Sequence, residues 1–259
     1  MKLTNKLISL TFVAVGAIAS SAAFAADMAV KAPPMVAAAP YNWNGFYVGA
    51  HIGYGWADDD VTANIASTGA LFTTFSNPAK GVFGGGQAGY NWVVAPNFLL
   101  GVEADISGSD IKGDTFVPRA PGTSELQTHA DYFGTVRGRA GFIANNTWLF
   151  YGTGGFAWLH ATGTNLQATC NTLACFTNSP PGTALSFTQN RDGWTAGAGL
   201  EVAFAPRWTA KFEYLYMDFG STTMSLVPVF NRTSTDKLTM NTVKVGVNYQ
   251  FGGPVVAKY

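Results

Sequence analysis

The sequence predicts an all-β fold, an eight-stranded antiparallel up-and-down transmembrane β-barrel. Three observations carry that expectation. Hydrophobicity alternates with period two along eight segments, long and short connections alternate strictly between them, and tryptophans gather at both ends of the segments. Composition agrees. The 259 residues are 47% hydrophobic and 14% aromatic but only 12% charged, about half the usual charged share of a soluble protein. So apolar a chain is not disordered, and 15 Lys+Arg against 15 Asp+Glu leave no basic excess for a nucleic-acid partner. A spanning helix would need about 20 consecutive apolar residues, and only the N-terminus approaches that.

That N-terminus reads as an address. Lys2 and Lys6 precede an apolar stretch from Leu7 to Ala19, then small residues and Ala23-Phe24-Ala25. This is a signal peptide over residues 1–26, with cleavage expected after Ala25 or Ala26. Its removal leaves 13 basic residues against 15 acidic ones, a slightly acidic mature chain. Residues 27–42, with Pro33, Pro34 and Pro40 among alanines, form a periplasmic Pro/Ala-rich leader without periodicity.

The barrel domain is expected over 43–251, with 252–259 a C-terminal extension. Strand one, 45–56, aligns Phe46, Val48, Ala50, Ile52 and Tyr54 on one face. Strand two, 82–93, aligns Ala88, Tyr90 and Trp92, and strand three, 98–106, Leu100, Val102 and Ala104. Strand four, 130–143, aligns Tyr132, Gly134, Val136, Ala140 and Phe142. Strand five, 147–160, has open parity, because Thr153-Gly154-Gly155 interrupts the alternation. Strand six, 192–204, aligns Trp194, Ala196, Ala198, Leu200 and Val202, and strand seven, 208–216, Phe212 and Tyr214. Strand eight, 242–251, alternates Val243, Val245, Val247, Tyr249 and Phe251 with small or polar residues. Each is near the roughly 9–11 residues that cross a bilayer as a tilted strand.

Three connections are tight: Ala95-Pro96-Asn97, Asn145-Asn146 and Ala205-Pro206-Arg207. Four are long, over 57–81, 107–129, 161–191 and 217–237. Strict alternation puts every long loop at one end of an up-and-down barrel. The long loops, rich in Thr, Ser, Asn and Gly, are expected to be mobile. Many of the 30 glycines fall inside strands, where a soluble sheet would lose stability but a narrow barrel gains curvature and interior room. Trp43, Trp92, Trp148 and Trp208 fall at the short-turn end and Trp56, Trp158 and Trp194 at the long-loop end, read as two aromatic girdles.

Parity then assigns an interior. Glu103 and Asp105, Arg137 and Arg139, Glu201, Lys211 and Glu213, and Lys244 share the face opposite the apolar one, with His51 and Gln87 beside them. Charges cannot cheaply face hydrocarbon, so four acids and four bases are expected to pair inside. An eight-stranded bore is just wide enough for side chains to fill, which favours a polar plug over an ion-lined channel.

Lys244-x-Gly246-x-x-Tyr249-x-Phe251 resembles the C-terminal signal by which barrel-assembly machinery recognises its clients, although Gly252 to Tyr259 follow it here. Asn42-Trp43-Asn44-Gly45-Phe46-Tyr47-Val48-Gly49 and Tyr151-Gly152-Thr153-Gly154-Gly155-Phe156-Ala157 add to it. From Trp43 to Phe251 the chain resembles the small Gram-negative outer-membrane β-barrel "porin family" of opacity-protein and OmpA-transmembrane-domain-like surface antigens. The resemblance implies an integral outer-membrane location and implies activity only weakly.

Other motifs carry less. Gly84-Gly85-Gly86-Gln87-Ala88-Gly89 matches a dinucleotide fingerprint in form, but Tyr90-Asn91-Trp92 continues a strand where a helix is required. Cys170 and Cys175 share the third long loop, and an oxidising exported compartment favours a disulfide there; two cysteines alone make a poor metal site. His129 and His160 sit at the loop ends of neighbouring strands, where a polar rim is the ordinary role. The expected function is structural and surface-facing: envelope integrity, with loops available to host or environmental ligands. A narrow porin-like channel, a hemin-binding surface protein (some relatives bind hemin) and a lipid-modifying barrel enzyme are the alternatives. No enzyme, metal or cofactor is expected. Outer-membrane lipid, lipopolysaccharide and the assembly machinery are the expected partners, and no C-terminal peptidoglycan-binding domain is expected.

Overall fold

The computed structural model describes residues 41–119, 122–170, 184–225 and 232–251. The expected signal peptide with its expected cleavage after Ala25 or Ala26, the expected leader up to residue 40 and the expected extension from 252 lie outside them. Eight strands follow in order: β1 (Gly45–Ile65), β2 (Leu71–Ala95), β3 (Phe98–Arg119), β4 (Gly122–Ala144), β5 (Trp148–Cys170), β6 (Ala184–Ala205), β7 (Trp208–Ser225) and β8 (Arg232–Gln250). Each pairs antiparallel with the next, and β8 pairs back onto β1 from Gln250 opposite Tyr47 to Arg232 opposite Ile65, closing the barrel. Closure abolishes free edges over the paired rows.

Side chains sort as alternation demands. Phe46, Val48, Ile52, Tyr54 and Trp56 of β1 are exposed on the outer wall, and Val245, Val247 and Phe251 match them near the end of the chain. Tyr47 and His51 point inward and are buried. On β5, Phe150 and Phe156 face out while Leu149, Tyr151, Ala157 and Leu159 are buried inside, which fixes the parity that its glycines obscured. The tight turns fall between β2 and β3, β4 and β5, and β6 and β7. Asn145 and Asn146 both take positive φ, 50° and 56°, the paired left-handed geometry that matches strand twist in a short hairpin.

Two expectations need correction. The long connections are mostly strand. β1 runs to Ile65 and β2 resumes at Leu71, so the strands span 18 to 25 residues, about twice what a bilayer needs. In the extended part the buried inward positions are polar, Asn77, Arg191 and Asp236 among them, so hydrophobic alternation stops while the ladder continues. Trp43 is the second correction. It is 2% exposed, packs on Tyr41 and donates its indole N–H to the Asn146 carbonyl at 3.1 Å. It closes the short-turn end from inside, as its odd-numbered parity with Tyr47 would have indicated.

The extended wall is not closed all the way up. The β2–β3 ladder ends with Lys80 opposite Lys112, although β2 continues to Leu71 and β3 to Arg119. The β6–β7 ladder ends with Trp194 opposite Asp218, although both strands continue. At the same height β3 slips against β4 between Gly108 and Ile111, and β7 slips against β8 between Asp218 and Ser221. A bulged strand bends away from its path; on β7 the bend uses Gly220, with φ 68°, whose N–H donates to Asp218 Oδ1 at 2.8 Å. The two seams lie four strands apart in an eight-stranded ring. Above them the described backbone ladders form two four-stranded runs, β7-β8-β1-β2 and β3-β4-β5-β6, bridged by side chains: Thr115 donates to Asn77 Oδ1 at 2.6 Å and Arg191 to Thr222.

Candidate functional site

The lumen is built in three layers. At mid-barrel, every one of the eight charged residues read from parity is buried: Glu103, Asp105, Arg137, Arg139, Glu201, Lys211, Glu213 and Lys244. Register brings them together in adjacent rows. Glu103 lies opposite Arg137, Glu201 opposite Lys211, and Glu213 opposite Lys244. The Arg137 guanidinium reaches Glu103 at 2.7 Å, Asp105 at 2.8 Å and Glu213 at 3.1 Å. Arg139 binds Glu201 at 3.1 Å between the rings of Tyr47 and Tyr151, 4.9 and 5.1 Å from their centroids. Lys211 grips Glu103 at 2.8 Å, and Lys244 bridges Asp105 at 3.2 Å and Glu213 at 3.0 Å.

Neutral groups complete the network. Tyr47 donates to Glu103 at 2.7 Å, Tyr151 to Glu213 at 2.8 Å, and Thr135 to Asp105 at 2.6 Å. Asn248 donates to Glu201 at 2.8 Å and accepts from Gln87. His51 sits between Gln87 and Ser107. Buried charges survive in a membrane core only with this density of partners. Room comes from glycine: Gly155 stands opposite Arg137, Gly101 opposite Arg139, and Gly199 opposite Glu213. A Cβ on Gly199 would come within 2.5 Å of the Tyr151 ring, and one on Gly101 within 2.7 Å of Asn91 Oδ1. Large and small inward residues therefore alternate around a narrow bore.

Apolar layers close both ends. Toward the long hairpins lie Ala57, Phe83, Ile111, Phe133, Ala157, Leu159, Leu215, Met217, Phe219 and Met240, all buried together; the Phe83 and Phe133 rings meet edge to face at 5.1 Å. Toward the short turns lie Trp43, Leu99, Ile143, Leu149 and Tyr151, with Tyr41 against them. Sequence reading missed both layers. Their signal was inward parity continuing beyond the charged rows, where an apolar residue on the polar face marks a plug.

The other candidate residues separate. His129 lies on the outer wall, with Nδ1 2.8 Å from Asp131. His160 stacks on Tyr132 at 4.7 Å and bonds Asn190. Among the described residues no His, Cys, Asp or Glu group could hold a metal ion. The Cys170 side chain and Cys175 lie outside the described set. Of the assembly pattern, Lys244 belongs to the lumen network. Gly246 faces Lys211 across the β7–β8 ladder, and Tyr249 and Phe251 form an outward cluster with Trp208 and Phe46.

The model of the outer membrane protein β-barrel domain matches residues 12–251. The chain belongs to that family. Its location is the outer membrane, and its role is that of a structural or surface barrel. Over 254 residues it is 34% identical to the 31 kDa outer-membrane immunogenic protein of Brucella melitensis, covering 94% of this chain and 99% of that one. It is 29% identical to the 25 kDa outer-membrane immunogenic protein of Brucella abortus, covering 90% and 92%. Among solved structures it is similar to the outer membrane protein OprG of Pseudomonas aeruginosa, with a TM-score of 0.47, 14% identity, and coverage of 82% and 99%.

Proposed function

We propose that the barrel is a non-conducting anchor and that its contacts are made by the wall it raises outside the membrane. The observation that carries this reading is the ionic core held between two apolar layers. A hydrated ion would have to displace both layers and compete for charges already paired. Planar-bilayer reconstitution tests it, with heat-modifiable gel mobility confirming that the barrel is folded. The expected record is free of discrete conductance steps; steady steps that change size in Arg137→Ala would overturn the reading and favour the channel.

Outer-membrane lipid and lipopolysaccharide are the membrane partners we propose. Trp56, Lys80, Lys112 and His129 fall in one register row across β1 to β4, on the outer wall just beyond the apolar belt. Cations at that height suit the phosphates of lipopolysaccharide. Lys244, Gly246, Tyr249 and Phe251 are the residues offered to the assembly machinery, and no catalytic group is assigned. The relatives are named as immunogenic, which fits a wall exposed to whatever the cell meets.

A further inference from the structure

We propose that the β6–β7 seam is a docking site for an extended, uncharged polypeptide segment of a partner protein, which adds as a strand. The inference rests on the reading that the external wall makes the protein's contacts. Above Trp194 and Asp218, residues Ala184–Gly193 of β6 and Phe219–Ser225 of β7 have lost each other as ladder partners, while β6 stays paired to β5 and β7 to β8. Among the described residues each strand therefore presents one row of N–H and C=O groups without a ladder partner, the template that strand addition uses. The seam's base is fixed: Arg191 donates to Thr222 Oγ1 at 2.5 Å and forms an ion pair with Asp236. The docking edge runs outward from that latch.

The two seams differ in what guards them. Beyond their last ladder pair, Lys80 with Lys112, the β2–β3 edges carry Pro78 and Pro118, with Asp114 alongside. Proline and charge are the devices that block edge pairing. Beyond Arg191 and Asp192 the β6–β7 edges carry neither: residues 184–190 read Ala-Leu-Ser-Phe-Thr-Gln-Asn and residues 221–225 read Ser-Thr-Thr-Met-Ser. Ser186, Thr188, Asn190, Ser221, Thr222, Thr223 and Ser225 are exposed. These edges point at each other along the wall, not outward from it. A lone strand brings only its own two edges to such a seam, whereas an edge of a second barrel would bring its own sheet with it.

The test uses the full chain refolded in detergent and a fluorescent synthetic peptide of alternating threonine and valine, about ten residues long. Hydrogen exchange should find the seam-facing amides within 186–190 and 221–225, alternate ones along each strand, fast in the free protein and slowed by the peptide. Anisotropy should show saturable binding. The same peptide N-methylated at alternate residues should bind at least about tenfold more weakly in one or both registers, since ladder donors are removed while side chains stay. Thr188→Lys with Thr223→Lys, which installs charge at exposed positions, should weaken binding similarly. The proposal falls if the free edges are already slow to exchange, if the peptide does not bind, or if N-methylation in both registers leaves binding unchanged. Protection that rises with protein concentration alone would assign the seam to self-pairing and also overturn it. None of these results alters the bilayer recording, so the two readings fail separately.

Discussion

Arg137 has no solvent-exposed side-chain surface and touches three carboxylates. Truncation would leave Glu103, Asp105 and Glu213 with less positive charge than the core needs. Arg137→Ala should therefore cost about 3–5 kcal/mol, read as a lower urea midpoint in micelles. Asp59 behaves differently. It lies outside the membrane span, Oδ1 has no hydrogen-bond partner, and burial raises its carboxyl above the usual range despite the nearby Arg191. Because its folded-state pKa is raised, ionising it at neutral pH works against the fold. Asp59→Asn should thus match or exceed the wild type in stability at neutral pH, and the gap should close as pH falls through the carboxylate range. Unfolding midpoints across pH check the sign; a variant less stable at neutral pH would contradict it.

At the scale of elements, the β4–β5 hairpin depends on two left-handed residues. Asn146→Val should cost about 1–2 kcal/mol, because a β-branched residue resists positive φ, while Asn145→Gly should be near neutral; thermal melts of the refolded barrel distinguish them. These strands also show what the sequence made legible. Within the bilayer one face sees lipid and the other the lumen, so Val243, Val245 and Val247 alternate cleanly with Thr242, Lys244 and Gly246 and parity places all eight interior charges. Outside it, Thr62, Thr74 and Ser76 meet water whichever way they point, and the continuing ladder leaves no trace in hydropathy. The seams were invisible for a related reason. Pairing between β6 and β7 fails where β7 bends at Gly220, and one glycine among 30 carries no signal of its own in the sequence.

For the whole molecule, the placement of tryptophan gives a direct check on which surfaces meet lipid. Trp56, Trp92, Trp148, Trp194 and Trp208 are 38–52% exposed on the outer wall, and Trp43 is 2% exposed inside. In bilayers of brominated lipid, Trp43→Phe should leave the quenchable fluorescence unchanged, while Trp92→Phe should lower it; the reverse order would mean that Trp43 faces lipid. The two apolar layers have one more consequence. They keep the ion atmosphere of the surrounding solution away from the eight paired charges, so raising salt shortens the Debye length to about 3 Å at 1 M only where solution can enter. The exposed Lys112–Asp110 pair weakens under those conditions and the core does not. A protein whose stabilising charges are out of reach of dissolved ions should hold its melting temperature from fresh water to brine.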